Sequence, residues 1–240
     1  MPTIQTSRFL QALFYFALAI PSRAQPSQSD TLLSPAAART ALFYQSYIGS
    51  NAAIYSGRVY QPPYQGVKGS PYFLSDNLTE GTVRYEDLTY THLQLLYNTI
   101  QDQPILADHQ GRLLALPAEK VRQFTIDSHS FIHLSANAIP AGYYELLQAG
   151  YATLLVRHTK KIEEKIQGGD LIRYITAHEN YYLFKQGRYY PFDSDNGLLH
   201  LLADKKQQLQ QYQRAQHIRF RKDPVAAMEK LLDYYNQLPH

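Results

Sequence analysis

The chain has 240 residues, of which 23 are Lys or Arg, 20 are Asp or Glu, and none is Cys. Residues 1–24 hold two arginines and no acidic residue, so the rest of the chain is nearly neutral, with 21 basic and 20 acidic side chains. This composition excludes disulfides, cysteine nucleophiles and cysteine-based zinc clusters, and without a dense basic stripe it does not favour nucleic-acid binding.

Residues 1–24 have the three-part pattern of a signal peptide. An apolar run over residues 9–20 follows a short basic start, and Ser22 and Ala24 occupy the −3 and −1 positions of a signal-peptidase site. The run is too short to span a bilayer, which needs about 20 residues. The sequence predicts cleavage after Ala24 and export to the periplasm or outer membrane, with no membrane span in the mature chain. A buried N-terminal helix is the alternative.

The mature chain is predicted to hold a flexible lead-in over residues 25–34 and a single β-rich domain over residues 35–240. Ser34 and Pro35 fit an N-cap followed by the first helical residue. Residues 36–47 are therefore predicted as an N-terminal helix. An exported domain of this size without disulfides is typical of a bacterial envelope.

From residue 54 the hydrophobic period changes to two, which is the period of strands. Residues 54–60 and 72–74 are predicted as short strands on either side of a loop over residues 61–70, which is rich in proline and glycine. The stretch 81–106 predicts an antiparallel meander of three strands, with residues 86–87 as its first turn. The side chains expected to share one face of its second strand are Leu93, Leu95 and Tyr97.

The later part of the sequence repeats this pattern and predicts further strands of the same meander. Their ranges are 111–116, 124–126, 131–134, 143–147, 152–166, 171–184 and 188–192. Gly168 and Gly169 are predicted to form the reversal between two of these strands, and Ile172, Tyr174 and Tyr182 are expected to point inward. The predicted fold is α+β and mainly β: about ten strands in a curved open sheet or half-barrel, with an N-terminal helix and two or three C-terminal helices. A sandwich is the alternative.

The C-terminal region returns to a helical period. Asp204 is predicted to cap one helix, with Gln207 completing a capping box. Asp223 and Pro224 are the strongest helix start in the chain. The residues expected to face inward are Leu198, Leu201, Leu202, Leu209 and Tyr212, followed by the stripe Met228, Leu231, Leu232 and Tyr235.

Four segments of the chain resemble a known family. They are IYSGRVYQPPY, GSPYFLSDNLTEGTVRYEDLTYTHLQLLYNTIQDQPIL, YYLFKQGRYYPFDSDNGLLHLLADKKQQL and RKDPVAAMEKLLDYYNQL. Together they are similar to uncharacterised exported proteins of Bacteroidota. The resemblance implies an envelope location, and because that family has no established activity it implies no catalytic residues. The chain departs from that pattern at Glu86-Asp87, where Asp-Gly is expected, and at Ala203, where Pro is expected.

Catalytic motifs are absent from the sequence: it contains no G-x-S-x-G, Walker-type loop, H-E-x-x-H or EF-hand pattern. The sequence therefore predicts no catalytic, cofactor-binding or metal-binding residues. His178 and Glu179 are adjacent, and adjacent strand residues point to opposite faces. His129 and His133 would share a face about 13 Å apart, too far for one metal ion. Carboxylates that could pair in a glycosidase are Glu80, Asp87, Asp108, Glu145 and Glu179; solvated turn and strand-edge charges are the alternative reading of all five.

Tyrosine is the unusual component, with 21 Tyr against 10 Phe and no Trp. A tyrosine pair places one ring on each face of a strand, or on adjacent sectors of a helix, and each ring can be buried while its hydroxyl stays hydrated. Such pairs occur at 143–144, 181–182, 189–190 and 234–235. Tyrosine is also simply a good strand former, so the pairs by themselves do not define a binding surface.

Two functions remain open. The first is a non-enzymatic envelope module, whose partner is another envelope protein or a glycan bound through a tyrosine-bearing sheet face. The second is a glycan-directed hydrolase that uses paired carboxylates. The first is favoured because no reactive constellation is encoded. An enzyme should show a pocket with converging ionisable groups, whereas a binding module should show an aromatic patch.

Overall fold

The computed structural model describes residues 53–135, 139–221 and 223–240. Within these residues the protein is mainly β, with twelve strands in one open sheet and three α-helices after the last strand. This confirms the predicted fold class and the C-terminal helices. The predicted signal peptide, lead-in and N-terminal helix lie outside the described residues.

The sheet is a single path of neighbouring strands. The strands are β1 (Arg58–Val59), β2 (Val67–Lys68), β3 (Thr79–Tyr85), β4 (Leu88–Asn98), β5 (Gln103–Ala107), β6 (Leu113–Ala115), β7 (Val121–Ile126), β8 (His129–Leu134), β9 (Gly142–Gln148), β10 (Ala152–Gln167), β11 (Asp170–Lys185) and β12 (Arg188–Phe192). Their spatial order is β1-β6-β5-β4-β3-β7-β8-β9-β10-β11-β12, and β2 pairs with β11 in parallel. All other pairs of strands are antiparallel.

The structure differs from the prediction at residues 54–60 and 72–74, which the sequence predicts as strands. Ala53–Ser56 is a 3-10 helix, closed by a 2.6 Å hydrogen bond from the Ser56 hydroxyl to the Ala53 carbonyl, and only β1 follows it. Tyr72 makes an isolated bridge to Asn98 instead of starting a strand, because Leu74 has a φ of 53° that no regular strand allows. The predicted loop over residues 61–70 contains β2.

The central meander is confirmed as β3, β4 and β5. The turn between β3 and β4 falls at residues 86–87, as predicted. Leu93, Leu95 and Tyr97 are all buried in one core. A bulge interrupts the β3–β4 register between Gly81 and Val83.

Gly81 lies where β3 passes unusually close to β7. A Cβ at this position would overlap the Thr125 carbonyl oxygen and lie 2.8 Å from the Leu95 Cδ1 atom. We expect Gly81→Ala to lower the free energy of unfolding by about 1–3 kcal/mol, the usual cost of overpacking a core. Urea unfolding would measure it. Thr89→Ala, at an exposed position of the neighbouring strand, serves as the control with an expected change within about 0.5 kcal/mol; equal effects would contradict the close approach.

Strands β10 and β11 form a long hairpin of 16 residues in each arm, paired without interruption to the turn at Gly168 and Gly169. Both glycines have positive φ, which a two-residue hairpin turn requires. At the end near the helices, Ala152, Leu154 and Leu183 are fully buried, whereas Ile166 and Leu171 at the tip are 74% and 61% exposed.

The inward face predicted for β11 is confirmed only in part. Ile172 and Tyr174 are half-buried between exposed Leu171 and Arg173, but a second core lies on the other face. Leu183 is fully buried in the core below the helices, and Tyr181 packs against that core. Tyr182 packs on the opposite face with Tyr144 and Leu155. The sequence did not predict the core beneath the helices because apolar side chains occupy both faces of this strand, so their alternation does not identify a single core face.

The three helices are α1 (Asp195–Leu201), α2 (Lys206–Ala215) and α3 (Pro224–Gln237). The start of α3 is as predicted: the Asp223 carboxylate accepts a 3.0 Å hydrogen bond from the Ala226 amide, and Pro224 is the first helical residue. The predicted inward stripe is confirmed, since Met228, Leu231, Leu232 and Tyr235 are each at most 4% exposed.

The predicted capping role of Asp204 is wrong. Asp204 lies in a 3-10 turn, Ala203–Lys205, and α2 begins without a side-chain cap. Its carboxylate instead accepts hydrogen bonds from the Lys185 ammonium at 2.7 Å and the Tyr235 hydroxyl at 2.9 Å. Asp204 therefore joins the end of β11 to α3. Its carboxylate bonds to these residues, which are remote in the sequence, instead of capping the adjacent helix α2.

Two apolar cores lie on the same face of the sheet, here called the core face and marked by Phe131 in the first core and Leu154 in the second. The first core fills the curve of β3, β4, β7, β8 and β9. The second lies between β9–β12 and the helices. The sheet folds over far enough for the Thr99 carbonyl to accept a 3.2 Å hydrogen bond from the Lys160 amide. No helix in the described part of the chain is long and apolar enough to cross a membrane.

Candidate functional site

A row of polar side chains crosses the core face between the two cores. It consists of His129 on β8, Glu145 on β9, His158 on β10 and Glu179 on β11, here called the polar row. Register explains the alignment: Glu145 lies opposite Phe131 of β8 and Val156 of β10, and His158 lies directly opposite Glu179. Alternation on each strand then brings the four side chains to one face.

Glu145 is the centre of the row and is only 5% exposed. One carboxylate oxygen accepts a hydrogen bond from the His129 Nδ1 atom, and the other accepts one from the His158 Nε2 atom at 2.6 Å. Burial is the largest single effect and raises the pKa of Glu145, but the hydrogen bonds from His158 and His129 together with the charge interactions of both rings bring this pKa below its ordinary value. The carboxylate is therefore an ionised group held inside the fold by two imidazoles.

The row leads from the interior to the surface. The His158 Nδ1 atom lies 3.6 Å from a Glu179 carboxylate oxygen, and the other Glu179 oxygen accepts a hydrogen bond from the Tyr181 hydroxyl. Burial and this contact with Glu179 raise the pKa of Tyr181. The ring of Phe73 covers the buried end, with its centroid 5.0 Å from His129 and 4.8 Å from His158.

Helix α3 adds a second carboxyl group, that of Glu229, which is close enough to the row for the charge of Glu145 to affect it. Partial burial raises the pKa of Glu229, and the nearby charges of Glu145 and Asp223 raise it further, against an opposing effect of His129. Two carboxyl groups in one neighbourhood thus have pKa values shifted in opposite directions. This pattern occurs in acid–base pairs, although structural ion networks also produce it.

An aromatic groove opens beside Tyr181, where the sheet meets the start of α3. Its cavity of about 250 Å³ has an apolar wall of Tyr181, Phe192, Phe220, Pro224 and Met228. Asp193, Asp195, Ser194 and Arg221 complete the lining. A second cavity of about 430 Å³ shares Tyr181, Phe192 and Asp193, and extends towards Glu179.

The structure separates most of the carboxylates singled out from the sequence. Three of them contact separate basic side chains: Glu80 contacts His92 at 2.7 Å, Asp87 contacts Arg122 at 3.3 Å, and Asp108 contacts Arg112 at 2.7 Å. Only Glu145 and Glu179 come together, through His158. In the described ranges no group of three or more His, Cys, Asp or Glu side chains is arranged to hold a metal ion.

The two histidine predictions agree with the geometry. Glu179 contacts His158 on the core face, whereas His178 approaches Glu163 at 3.9 Å on the other face. His129 contacts Glu145, and the ring of His133 lies 4.9 Å from that of Tyr143 on the same strand face.

Sequence reasoning missed His158, Glu229 and the groove. A signal for His158 existed: it continues the alternation of Leu154 and Val156, so it had to face the core. The groove has no such signal, because Phe192, Phe220 and Met228 come from three separate segments.

The fold and site define a protein only in general terms, as an open antiparallel sheet covered at one end by three helices and bearing an aromatic groove. No family model, curated protein or solved structure matches the chain. The resemblance to exported Bacteroidota proteins remains a prediction.

Proposed function

We propose that this protein is an exported, non-enzymatic binding module of the cell envelope, which holds another envelope component in the aromatic groove. The observation that carries the proposal is the lining of the groove. Its apolar wall ends in a polar rim, and a concave apolar surface with a few polar groups is the usual form of a binding site.

Of the tyrosines considered in the pairs 143–144 and 181–182, it is Tyr181 that supports this function. Tyr143 and Tyr144 are fully buried, one on each face of β9, so this pair serves packing. Tyr181 is different: its ring lies in the wall of the groove, 5.9 Å between centroids from that of Phe192. A rigid ring with a hydroxyl suits the binding of either a peptide or a sugar.

The arrangement of the carboxylates favours a binding module over a glycan hydrolase. Both oxygens of Glu145 already accept hydrogen bonds from histidines, and the carboxylate has almost no exposed surface. A glycosidase needs an accessible acid and base on opposite sides of the scissile bond. Glu145 is better suited to holding β8, β9 and β10 in register beneath the groove.

We expect Tyr181→Ala to abolish retention of the envelope component by the groove. The full chain, immobilised, would be incubated with solubilised envelopes and separately with purified envelope glycan fragments. Loss of one ring from the centre of a binding site typically costs 2 kcal/mol or more, which corresponds to about thirtyfold in affinity. Quantitative mass spectrometry and glycan analysis of the bound material would measure the loss.

Tyr151→Ala is the matched control, because Tyr151 is 47% exposed and stacks on His240 outside the groove. This variant should retain the component as the wild type does. Equal retention by Tyr181→Ala would remove the groove from consideration. Hydrolysis of the glycan fragments by wild type but not by Glu145→Gln would instead establish the hydrolase.

A further inference from the structure

The edge of β11 contains a gap in the sheet between two short neighbours. Its outer side pairs with β2 at Arg173 and Tyr174, and with β12 from Tyr181 onwards. Between these contacts, residues 176–180 have no strand partner on that side among the described residues. Ile175 is covered, since a Cβ on Gly69 after β2 would lie 3.7 Å from the Ile175 backbone nitrogen and oxygen. This gap is here called the open lane.

Backbone groups in the open lane face outward. The turn at 168–169 is a two-residue turn, so the flanking pair Gln167 and Asp170 is the hydrogen-bonded kind, and even-numbered residues of β11 then bond to β10. The turn at 186–187 gives the same parity from the other side, with odd-numbered residues facing β12. The peptide groups of Ala177 and Glu179 therefore point into the open lane.

Exposure agrees with this geometry. Residues 177–180 are four consecutive exposed residues in the interior of a 16-residue strand, although residues further along β11 are covered. Proteins normally protect such an edge, because its unpaired amides and carbonyls bind other strands. Here β2 and β12 protect the two ends of the edge and leave its middle accessible.

The length of the open lane limits its occupant. From Tyr174, which pairs with Lys68, to Tyr181, which pairs with Phe192, the strand advances seven residues, or about 23 Å. A second copy pairing through its own β11 would bring 16 residues, about 53 Å, and collide with β2 and β12. Only a short extended segment of about four to six residues fits.

The chemistry at one end of the open lane selects the charge of that segment. The cavity of about 430 Å³ begins here and combines the carboxylates of Glu179 and Asp193 with the rings of Tyr181 and Phe192. Carboxylates beside aromatic faces favour a cationic side chain, through ion pairing and cation–π contact. Arg221 lines the neighbouring groove but not this cavity.

We propose that the open lane binds an extended peptide segment of another envelope protein, which adds to β11 as a strand and places a Lys or Arg side chain in the cavity between Glu179 and Asp193. This inference rests on the proposed function, because that cavity shares Tyr181, Phe192 and Asp193 with the aromatic groove. Backbone pairing supplies the affinity, and the cavity supplies the specificity, as in other cases of strand addition.

A pooled library of random hexapeptides is the probe, selected against the full chain. Peptides with alternating β-branched residues and one Lys or Arg should be enriched. Adding an enriched peptide should slow hydrogen exchange at the amides of Ala177 and Glu179, and methylating the peptide's alternate backbone nitrogens should weaken binding at least about tenfold, because the strand hydrogen bonds are lost.

Two variants test the open lane itself. Ala177→Pro removes only an outward amide, which an edge strand tolerates, and should weaken binding at least about tenfold. Glu179→Lys should do the same and remove the preference for Lys or Arg. Glu164→Lys makes the same charge change at an exposed site of β10 outside the open lane, and its affinity should stay within about twofold of wild type.

Failure to enrich any peptide would overturn the inference, and so would binding that is unaffected by Ala177→Pro. Slow hydrogen exchange at the Ala177 and Glu179 amides in the free chain would also overturn it, because the chain's own residues would then fill the open lane. Binding of an envelope component that depends on Tyr181 but not on Ala177 would leave the proposed function intact and reject only the strand addition.

Discussion

A chain that ends at Lys222 is expected to lose its cooperative fold. The truncation removes α3, whose Leu231, Leu232 and Tyr235 side chains have no exposed surface in the native protein. Burial of each such side chain contributes about 1.5–3 kcal/mol, and the whole native state of a domain is stable by only about 5–15 kcal/mol. The thermal unfolding midpoint and near-ultraviolet circular dichroism of the two chains would measure the loss.

A point variant keeps this prediction testable even when the truncated chain does not accumulate. Leu231→Ala should lower the free energy of unfolding by about 2–5 kcal/mol, because it leaves a cavity in the second core. Lys230→Ala, at the neighbouring exposed position, should change it by less than about 0.5 kcal/mol. An unchanged midpoint after truncation would instead identify α3 as a detachable element with an apolar stripe available to partners.

Glu145→Ala is expected to destabilise the protein by about 3–5 kcal/mol, the usual result of removing one partner from a buried ionic network. The substitution leaves His129 and His158 beneath the ring of Phe73 without their common acceptor. Chemical denaturation at neutral pH would measure the change. Glu80→Ala is the matched control, because its carboxylate is 63% exposed and its contact with His92 contributes at most about 1 kcal/mol.

The lowered pKa of Glu145 also determines the direction in which protein stability changes with acidification. Because its pKa is lowered in the folded state, its contribution is fully present above the ordinary value of 4.5 and is lost as pH falls through the lower folded pKa. Wild-type stability should therefore decline more steeply below about pH 4.5 than that of Glu145→Gln. Glu229, with a raised pKa, has the opposite sign, so Glu229→Gln should stabilise the protein at neutral pH. Parallel acid profiles for wild type and Glu145→Gln would contradict the role assigned to the row.

Local signals in the sequence predicted the elements that they could specify. The Gly168-Gly169 pair identifies a turn through its backbone preference, residues 86–87 identify one as a polar break between two alternating runs, and Asp223 with Pro224 identifies the start of α3. In each case the deciding interaction lies within a few residues along the chain. The strand order from β7 to β12 followed for the same reason, since each strand pairs with its predecessor.

The failures concern residues whose partners are remote in the sequence. Asp204 has the local chemistry of a cap, yet Lys185 and Tyr235 are both stronger partners for its carboxylate. Glu145 was one of five equivalent carboxylates until the register placed it between two histidines. The β2 segment could not be predicted because it pairs with a strand more than 100 residues later.

The order of the strands has a consequence for folding of any chain delivered from its N-terminus, whether from the ribosome or from an export channel. Strands β7 to β12 can pair one after another as the chain emerges, but the second core stays open until α3 arrives. Residues 193–237 separate the end of β12 from the end of α3, which at about 5–20 residues per second corresponds to about 2–9 s. For that time Leu154 and Leu183 form part of an uncovered apolar sheet, which is a target for chaperones and for aggregation. Slower delivery of residues 193–237 therefore lengthens the time for which this apolar surface is uncovered.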